Sequence, residues 1–175
     1  MHLTERQRWT RLIRSLRRAR RGATALEFAM VFPVFMLFVS MVIENGLVLF
    51  TQATLDNAVF DASRLIRTGQ LQLAGGSVTP FAKTLCGDVG TIINCTNLQY
   101  NVQSAAAFAS LNGTVQLNAL GGLANTRFTP GGAGADVVVQ VAYNRAYLMP
   151  WIAIFGGRTG AVLVSTLAFQ NEKFQ

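Results

Sequence analysis

Residues 23–43 are the segment that most restricts how this chain can fold, because 21 consecutive residues contain one charged side chain, Glu27. About 20 apolar helical residues, at 1.5 Å each, cross a hydrocarbon core of roughly 30 Å. A secretory signal peptide is the alternative, but its apolar core usually runs for only about 7–15 residues before a small-residue cleavage site. The run continues toward Glu44 without such a site, so the sequence favours a retained membrane span that Pro33 interrupts.

The net charge of +7 is concentrated in the first 22 residues, which hold eight arginines against one acid, Glu5. The remaining seven basic and seven acidic residues fall in 23–175 and cancel. Nucleic-acid binding is one interpretation of an arginine-rich segment, but no basic patch continues into the rest of the chain. Positive-inside topology explains the charge more simply and predicts a cytoplasmic N-terminus and an extracytoplasmic C-terminal domain.

Helical periodicity continues past the apolar run. Apolar residues recur mostly every three or four positions, at Leu47, Phe50, Leu55, Ala58, Val59, Ala62, Leu65 and Ile66. Gly69 follows this stripe and suits a helix C-cap. We therefore expect one helix from about residue 23 to residue 68, with a transmembrane part at 23–44 and an amphipathic continuation at 45–68.

The rest of the chain, residues 69–175, is predicted to be a β-rich extracytoplasmic domain. Alternating side chains predict strands at 135–148 and 161–170, and 98–103 and 114–117 are weaker candidates. Paired glycines between these segments indicate turns. The predicted fold class is α+β, with a small antiparallel sheet packed on the amphipathic half of the long helix.

Cys86 and Cys95 are the two cysteines of the chain, and both fall in the part expected to lie in an oxidising compartment. A disulfide between them would close a short loop and contribute roughly 2.5–3 kcal/mol in the chain-entropy model. Two free buried thiols and half of a metal site are the alternatives. The sequence favours the disulfide over a metal site, because the one histidine, His2, precedes the span.

Motifs for catalysis are not found in the sequence. The glycine-rich segments 131–134 and 156–160 lack the ending and the flanking elements of nucleotide-binding loops. Asp88, Asp136 and Glu172 have no apparent partners in the sequence and are predicted to be solvated. We therefore expect no enzymatic activity, no cofactor and no small-molecule substrate, and a membrane-tethered enzyme is the least favoured interpretation.

The junction at residues 21–28, Arg-Gly-Ala-Thr-Ala-Leu-Glu-Phe, resembles a type IV prepilin-like leader. The longer string RRGATALEFAMVFPVFMLFVSMVIENGLVLF, with YLMPW and AFQNEKF near the C-terminus, is similar to TadE/TadG-like pseudopilins of the tight-adherence (Tad) type IV pilus system. The resemblance implies a pilin-like fold, with residues 1–22 as a leader that a prepilin peptidase cuts between Gly22 and Ala23. It also implies roles in assembly for Glu27 and Phe28. A mature chain beginning with Ala departs from the many type IV pilins that begin with Phe or Met.

Cleavage would expose a largely cationic α-amine at Ala23. In a bundle of parallel helices, the Glu27 carboxylate of one subunit could pair with this amine on a neighbour. Such pairing would offset part of the roughly 2.5–3.5 kcal/mol that a mid-membrane acid costs.

The resemblance thus implies a minor pseudopilin that serves pilus assembly and surface adhesion. It would be held in the bacterial inner membrane with a periplasmic C-terminal domain, before any incorporation into a surface pilus. Its partners would be the prepilin peptidase, other Tad pilins and pseudopilins, inner-membrane platform proteins and membrane lipid. An unprocessed single-pass membrane protein with an extracytoplasmic binding domain is the alternative.

Overall fold

The structure is a computed structural model that describes residues 20–90 and 92–174. Residues 1–19 of the predicted leader therefore lie outside the described residues. The chain divides into two compact units, one ending at Ile43 and the other beginning at Glu44. A long N-terminal helix and a small three-stranded antiparallel sheet confirm the predicted α+β fold class.

The described helices and strands follow a simple order along the chain. They are α1 Arg20–Arg67, α2 Gln70–Leu73, α3 Val78–Asp88, β1 Leu98–Ala105, β2 Asp136–Ala146, α4 Pro150–Gly156 and β3 Gly160–Gln170. The sheet order is β1-β2-β3, with both pairings antiparallel. Its register places Val139 of β2 between Val102 of β1 and Leu167 of β3. The central strand β2 is therefore hydrogen-bonded on both edges.

Within the second unit, one face of α1 is buried against the domain core. The buried residues of this face are Glu44, Thr51, Leu55, Ala58, Val59, Ala62, Ser63 and Ile66. Phe50 and the polar Thr51 both fall on the predicted stripe; Thr51 is buried, but the Phe50 side chain is 58% exposed, so the prediction is wrong for Phe50. The Thr51 hydroxyl donates to the Leu47 carbonyl at 2.7 Å, which satisfies the hydroxyl inside the helix and makes its burial tolerable.

The end of α1 agrees with the predicted glycine cap. Gly69 has φ +77°, and its N–H donates to the Ile66 carbonyl at 3.1 Å. A β-carbon at this position would overlap the ring of Phe174, so two independent constraints favour glycine. The chain can then enter α2 directly.

The core of the second unit contains residues from α1, α2, α3 and all three strands. Helix α3, which the sequence patterns did not predict, contributes the fully buried Phe81 and Leu85. The Phe81 ring packs on Tyr100 of β1 and on Phe128, with ring centroids 5.8 and 5.6 Å away. The Ser77 hydroxyl caps α3 by accepting the Thr79 N–H at 3.3 Å.

The weak strand candidate at 114–117 is wrong, because only an isolated bridge between Leu117 and Leu123 is formed. The Asn118 carboxamide oxygen accepts the N–H groups of Leu120 and Gly122, both at 3.0 Å. These bonds turn the chain back on itself, as is typical of asparagine in turns. The segment therefore forms a loop beside the sheet instead of a fourth strand.

Of the three acids predicted to be solvated, Asp136 is buried, whereas Asp88 and Glu172 are exposed. Asp136, at the start of β2, is 6% exposed, so the prediction is wrong for this residue. Glu172 remains exposed but forms an ion pair with Arg67 at 3.5 Å. Asp88 is exposed as predicted.

The structure joins Cys86 and Cys95 in a disulfide whose Cα atoms lie 5.7 Å apart. Cys86 belongs to α3, and Cys95 begins the short 3-10 turn that leads into β1. Both side chains pack against the hydrophobic core. The bridge therefore ties α3 to the first strand of the sheet.

Candidate functional site

The four junction residues singled out in the sequence all lie in α1, and all are exposed. A β-carbon added at Gly22 would meet nothing within 4 Å, so the predicted scissile bond between Gly22 and Ala23 lies on an open surface. Phe28 is 63% exposed, and its ring centroid lies 5.1 Å from that of Phe32, one turn further along the helix. The junction is therefore exposed within the described part of its own unit.

The helix around this junction exposes apolar side chains in every direction. Between residues 22 and 43, the exposed large hydrophobic side chains range from 39% to 73% exposed. Among the described residues, Gly22–Arg67 is the one helix long and apolar enough to cross a membrane, judged by length and composition. A helix that is apolar all round requires lipid or other apolar helices around it.

Glu27 places a carboxylate on this apolar surface. Its side chain is exposed, and it forms no ion pair with any residue that the structure describes. A carboxylate in hydrocarbon is costly unless a cation compensates it. The geometry thus leaves Glu27 accessible to a group on another molecule.

Sequence analysis did not predict a second carboxylate site, at Glu44. This residue is 3% exposed, although it directly follows the apolar run. Its Oε1 forms an ion pair with Arg145 at the end of β2, and the two side chains are 4% and 14% exposed. Its Oε2 accepts the N–H groups of Leu148 and Met149 at 3.0 and 3.3 Å. Both oxygens are therefore satisfied by groups more than 100 positions away in the chain.

A sequence signal for the burial of Glu44 did exist. Glu44 lies 7 and 11 residues before Thr51 and Leu55, spacings that place all three on one helix face. The sequence gives no comparable signal for the burial of its partner. Arg145 lies near the end of β2, and the alternation along that strand does not indicate that this charged side chain would be buried. Only the fold brings the two residues together.

Clusters suited to metal binding are not found among the described residues, where no group of three His, Cys, Asp or Glu side chains converges. The acids instead occupy separate places: Glu27 on the apolar helix, Glu44 in its ion pair and Asp136 at a strand end. The described residues thus offer an apolar helical segment with one accessible carboxylate, and a folded unit whose first residue is a second, buried carboxylate.

Comparison with known proteins relates the first of these features to a family. Residues 22–64 match the family model described as "TadE-like protein". No curated protein and no solved structure matches the chain. The matched segment begins at Gly22 and includes Glu27, Phe28 and Glu44. This match confirms the resemblance inferred from the sequence: over residues 22–64, about a quarter of its length, the chain is similar to TadE-like proteins.

Proposed function

We propose that this chain is a minor pseudopilin of a Tad pilus or related secretion assembly. In this proposal a prepilin peptidase removes residues 1–22, residues 23–44 anchor the subunit in the inner membrane, and 45–68 continue the helix into a periplasmic domain formed by 69–175. The observation that carries the proposal is the TadE-like match that starts at Gly22 and covers the helix with the exposed apolar surface. The subunit then serves pilus assembly and adhesion through contacts with other Tad pilins and with platform proteins.

The processing step can be tested by the intact mass of the chain after co-expression with a prepilin peptidase. We expect loss of residues 1–22, and we expect Gly22→Val to abolish it. Gly46→Val is the matched control, because a β-carbon at either glycine meets nothing within 4 Å in the same helix. A wild-type chain that keeps its full mass beside an active peptidase would instead favour the unprocessed single-pass protein.

The assembly step depends on the proposed pairing of the Glu27 carboxylate with the α-amine at Ala23 of a neighbouring subunit. We expect Glu27→Ala to be processed normally but lost from the assembly, because the neighbour's amine would then be buried without a partner. Glu27→Asp keeps the charge and is expected to retain part of the function. The measurement is the amount of processed chain that co-isolates with other Tad components from solubilised membranes.

The folded unit provides an internal check on this experiment. Glu27 lies outside the unit that begins at Glu44, and its side chain is exposed. Its substitution should therefore leave the protease resistance of the folded unit unchanged. If Glu27→Ala assembled as the wild type does, the charge-pairing role would be refuted while the processing result would stand.

A further inference from the structure

We propose that the segment at residues 147–157, which contains α4, is a second membrane contact that lies in the lipid headgroup region on the extracytoplasmic side. We name it the interfacial segment. The inference rests on the proposed membrane insertion of residues 23–43. It adds a surface of the folded unit that binds lipid, beyond the helix that crosses the bilayer.

The composition of the interfacial segment suits a lipid surface. Its eleven residues, YLMPWIAIFGG, include no charged side chain. Leu148 is 60% exposed and Ile154 is 80% exposed. Pro150 and Ile154 are both exposed and lie four residues apart, so they share one face of α4. The outward face of this short helix is therefore apolar.

The position of the interfacial segment is fixed by Glu44. This residue directly follows Ile43 in the chain, where the apolar run ends. Its carboxylate accepts the N–H groups of Leu148 and Met149 at 3.0 and 3.3 Å. The start of α4 is thus held within hydrogen-bond distance of the residue that leaves the hydrocarbon. Seven residues of helix are about 10 Å long, so α4 stays close to that level.

The types of residue in and beside the interfacial segment favour lipid over a second protein as its occupant. Tyr147 and the half-buried Trp151 are residue types enriched where membrane meets water. Arg158, exposed directly after the segment, can meet lipid phosphates. Leu49 and Phe50, 70% and 58% exposed, follow Glu44 by only five and six helical residues, whereas exposed apolar residues far from Glu44 along α1 and beyond lack this placement. Leu73, for example, is 68% exposed but follows a helix that runs 23 residues, about 35 Å, beyond Glu44.

The inference can be tested with the full chain in vesicles of phosphatidylethanolamine and phosphatidylglycerol. A chain with Trp9→Phe, Trp151→Phe and Ile154→Trp carries a single reporter on the outward face of α4. The matched control replaces Leu73 by Trp instead of Ile154 in the same background. A chain with Trp9→Phe alone reports from the native Trp151. Flotation of the vesicles shows separately whether the chain is inserted.

We expect the reporter at position 154 to emit at shorter wavelength in vesicles and to be quenched by lipids brominated near the headgroup end of the acyl chain. Quenching by lipids brominated near the terminal methyl should be weaker, because an interfacial helix penetrates only about 5–10 Å. The control at position 73 should respond to aqueous iodide and not to bromine.

Two results would overturn the inference, and they are distinguishable. In the first, the chain floats with the vesicles, but the reporter at position 154 is quenched by iodide and not by brominated lipid. The membrane anchor would then stand, and the interfacial segment would contact a protein partner instead of lipid. If the chain does not float, the membrane insertion on which both proposals rest is wrong.

Discussion

The buried ion pair between Glu44 and Arg145 gives the most direct test of what stabilises the start of the folded unit. The two oxygens of Glu44 have separate partners: Oε1 pairs with Arg145, and Oε2 accepts the Leu148 and Met149 N–H groups. Glu44→Ala removes all of these contacts. Glu44→Gln keeps an oxygen that can accept the two N–H groups, but it replaces the charged partner of Arg145 with a neutral amide.

The expected magnitudes follow from the burial of the two side chains. Breaking a buried pair by removing one charge costs about 3–5 kcal/mol. Since the Arg145 side chain keeps 14% exposure to water, we expect Glu44→Ala to lower the free energy of unfolding by the smaller of these values, about 3 kcal/mol. A double-mutant cycle of Glu44→Gln with Arg145→Met isolates the interaction between the two side chains. We expect it to give a coupling energy of about 2 kcal/mol.

The assay is urea unfolding of the full chain in a mild detergent, followed by near-ultraviolet circular dichroism. Arg67 and Glu172 supply the matched control cycle, because their ion pair at 3.5 Å has side chains that are 54% and 57% exposed. Coupling in that exposed pair should be no more than about 1 kcal/mol. If the Glu44–Arg145 coupling were as small as that of the exposed pair, the argument from burial would be refuted.

Three further predictions concern the folded unit. Replacing both Cys86 and Cys95 by Ala should lower the free energy of unfolding by about 2.5–3 kcal/mol, measured by urea unfolding against the wild type under oxidising conditions; an unchanged midpoint would contradict the bridge. Gly69→Ala should cost at least about 1–2 kcal/mol from its positive φ, and pairing it with Phe174→Ala should recover only the part due to the overlap with that ring. Phe81→Ala should lower the free energy of unfolding by about 3–5 kcal/mol and broaden the thermal transition, because the Phe81 ring is fully buried. A loss below about 1 kcal/mol, as for a surface substitution, would mean that the surrounding side chains fill the cavity.

The parts of the fold that were predicted from the sequence are those in which apolar side chains repeat at the spacing of a strand or a helix. The alternation of Val137, Val139 and Val141 predicted β2, because each of these side chains turns to the core face. The spacing of Leu55 and Ile66 likewise placed the buried face of α1. Side chains buried on one face of a regular element repeat in the sequence, so a single chain is enough to predict them.

Helix α3 was missed although local signals for it were present. Ser77 is a suitable N-cap, and Phe81, Leu85 and Val89 lie four residues apart and are all buried. The composition after Gly69, rich in Gly, Ser, Thr and Asn, does not by itself indicate a helix, and Pro80 lies inside the segment. Proline is tolerated in the first turn of a helix, however, where its missing N–H would have no partner.

The candidate site was predicted only in part, for a physical reason. Gly22 and Glu27 lie five positions apart in the sequence, and their placement on an exposed helix needs no tertiary information. The pair formed by Glu44 and Arg145 joins residues 101 positions apart, and neither residue type is ordinarily buried. Their burial is stable because each compensates the other, and the sequence carries no local trace of that compensation.

The contact between Glu44 and Arg145 also gives mechanical load a side-chain route into the folded unit. Any pull on the apolar part of α1 passes first through Glu44, the first residue of that unit. From there the load reaches the core along the buried face of α1, and the ion pair adds a direct side-chain connection to Arg145 of β2, the strand that is hydrogen-bonded to both of its neighbours. A pull on the helix would thus be resisted by its packing on the core and, through Arg145, by the central strand, where two ladders of hydrogen bonds share the tension, and not at an edge strand that could be peeled away.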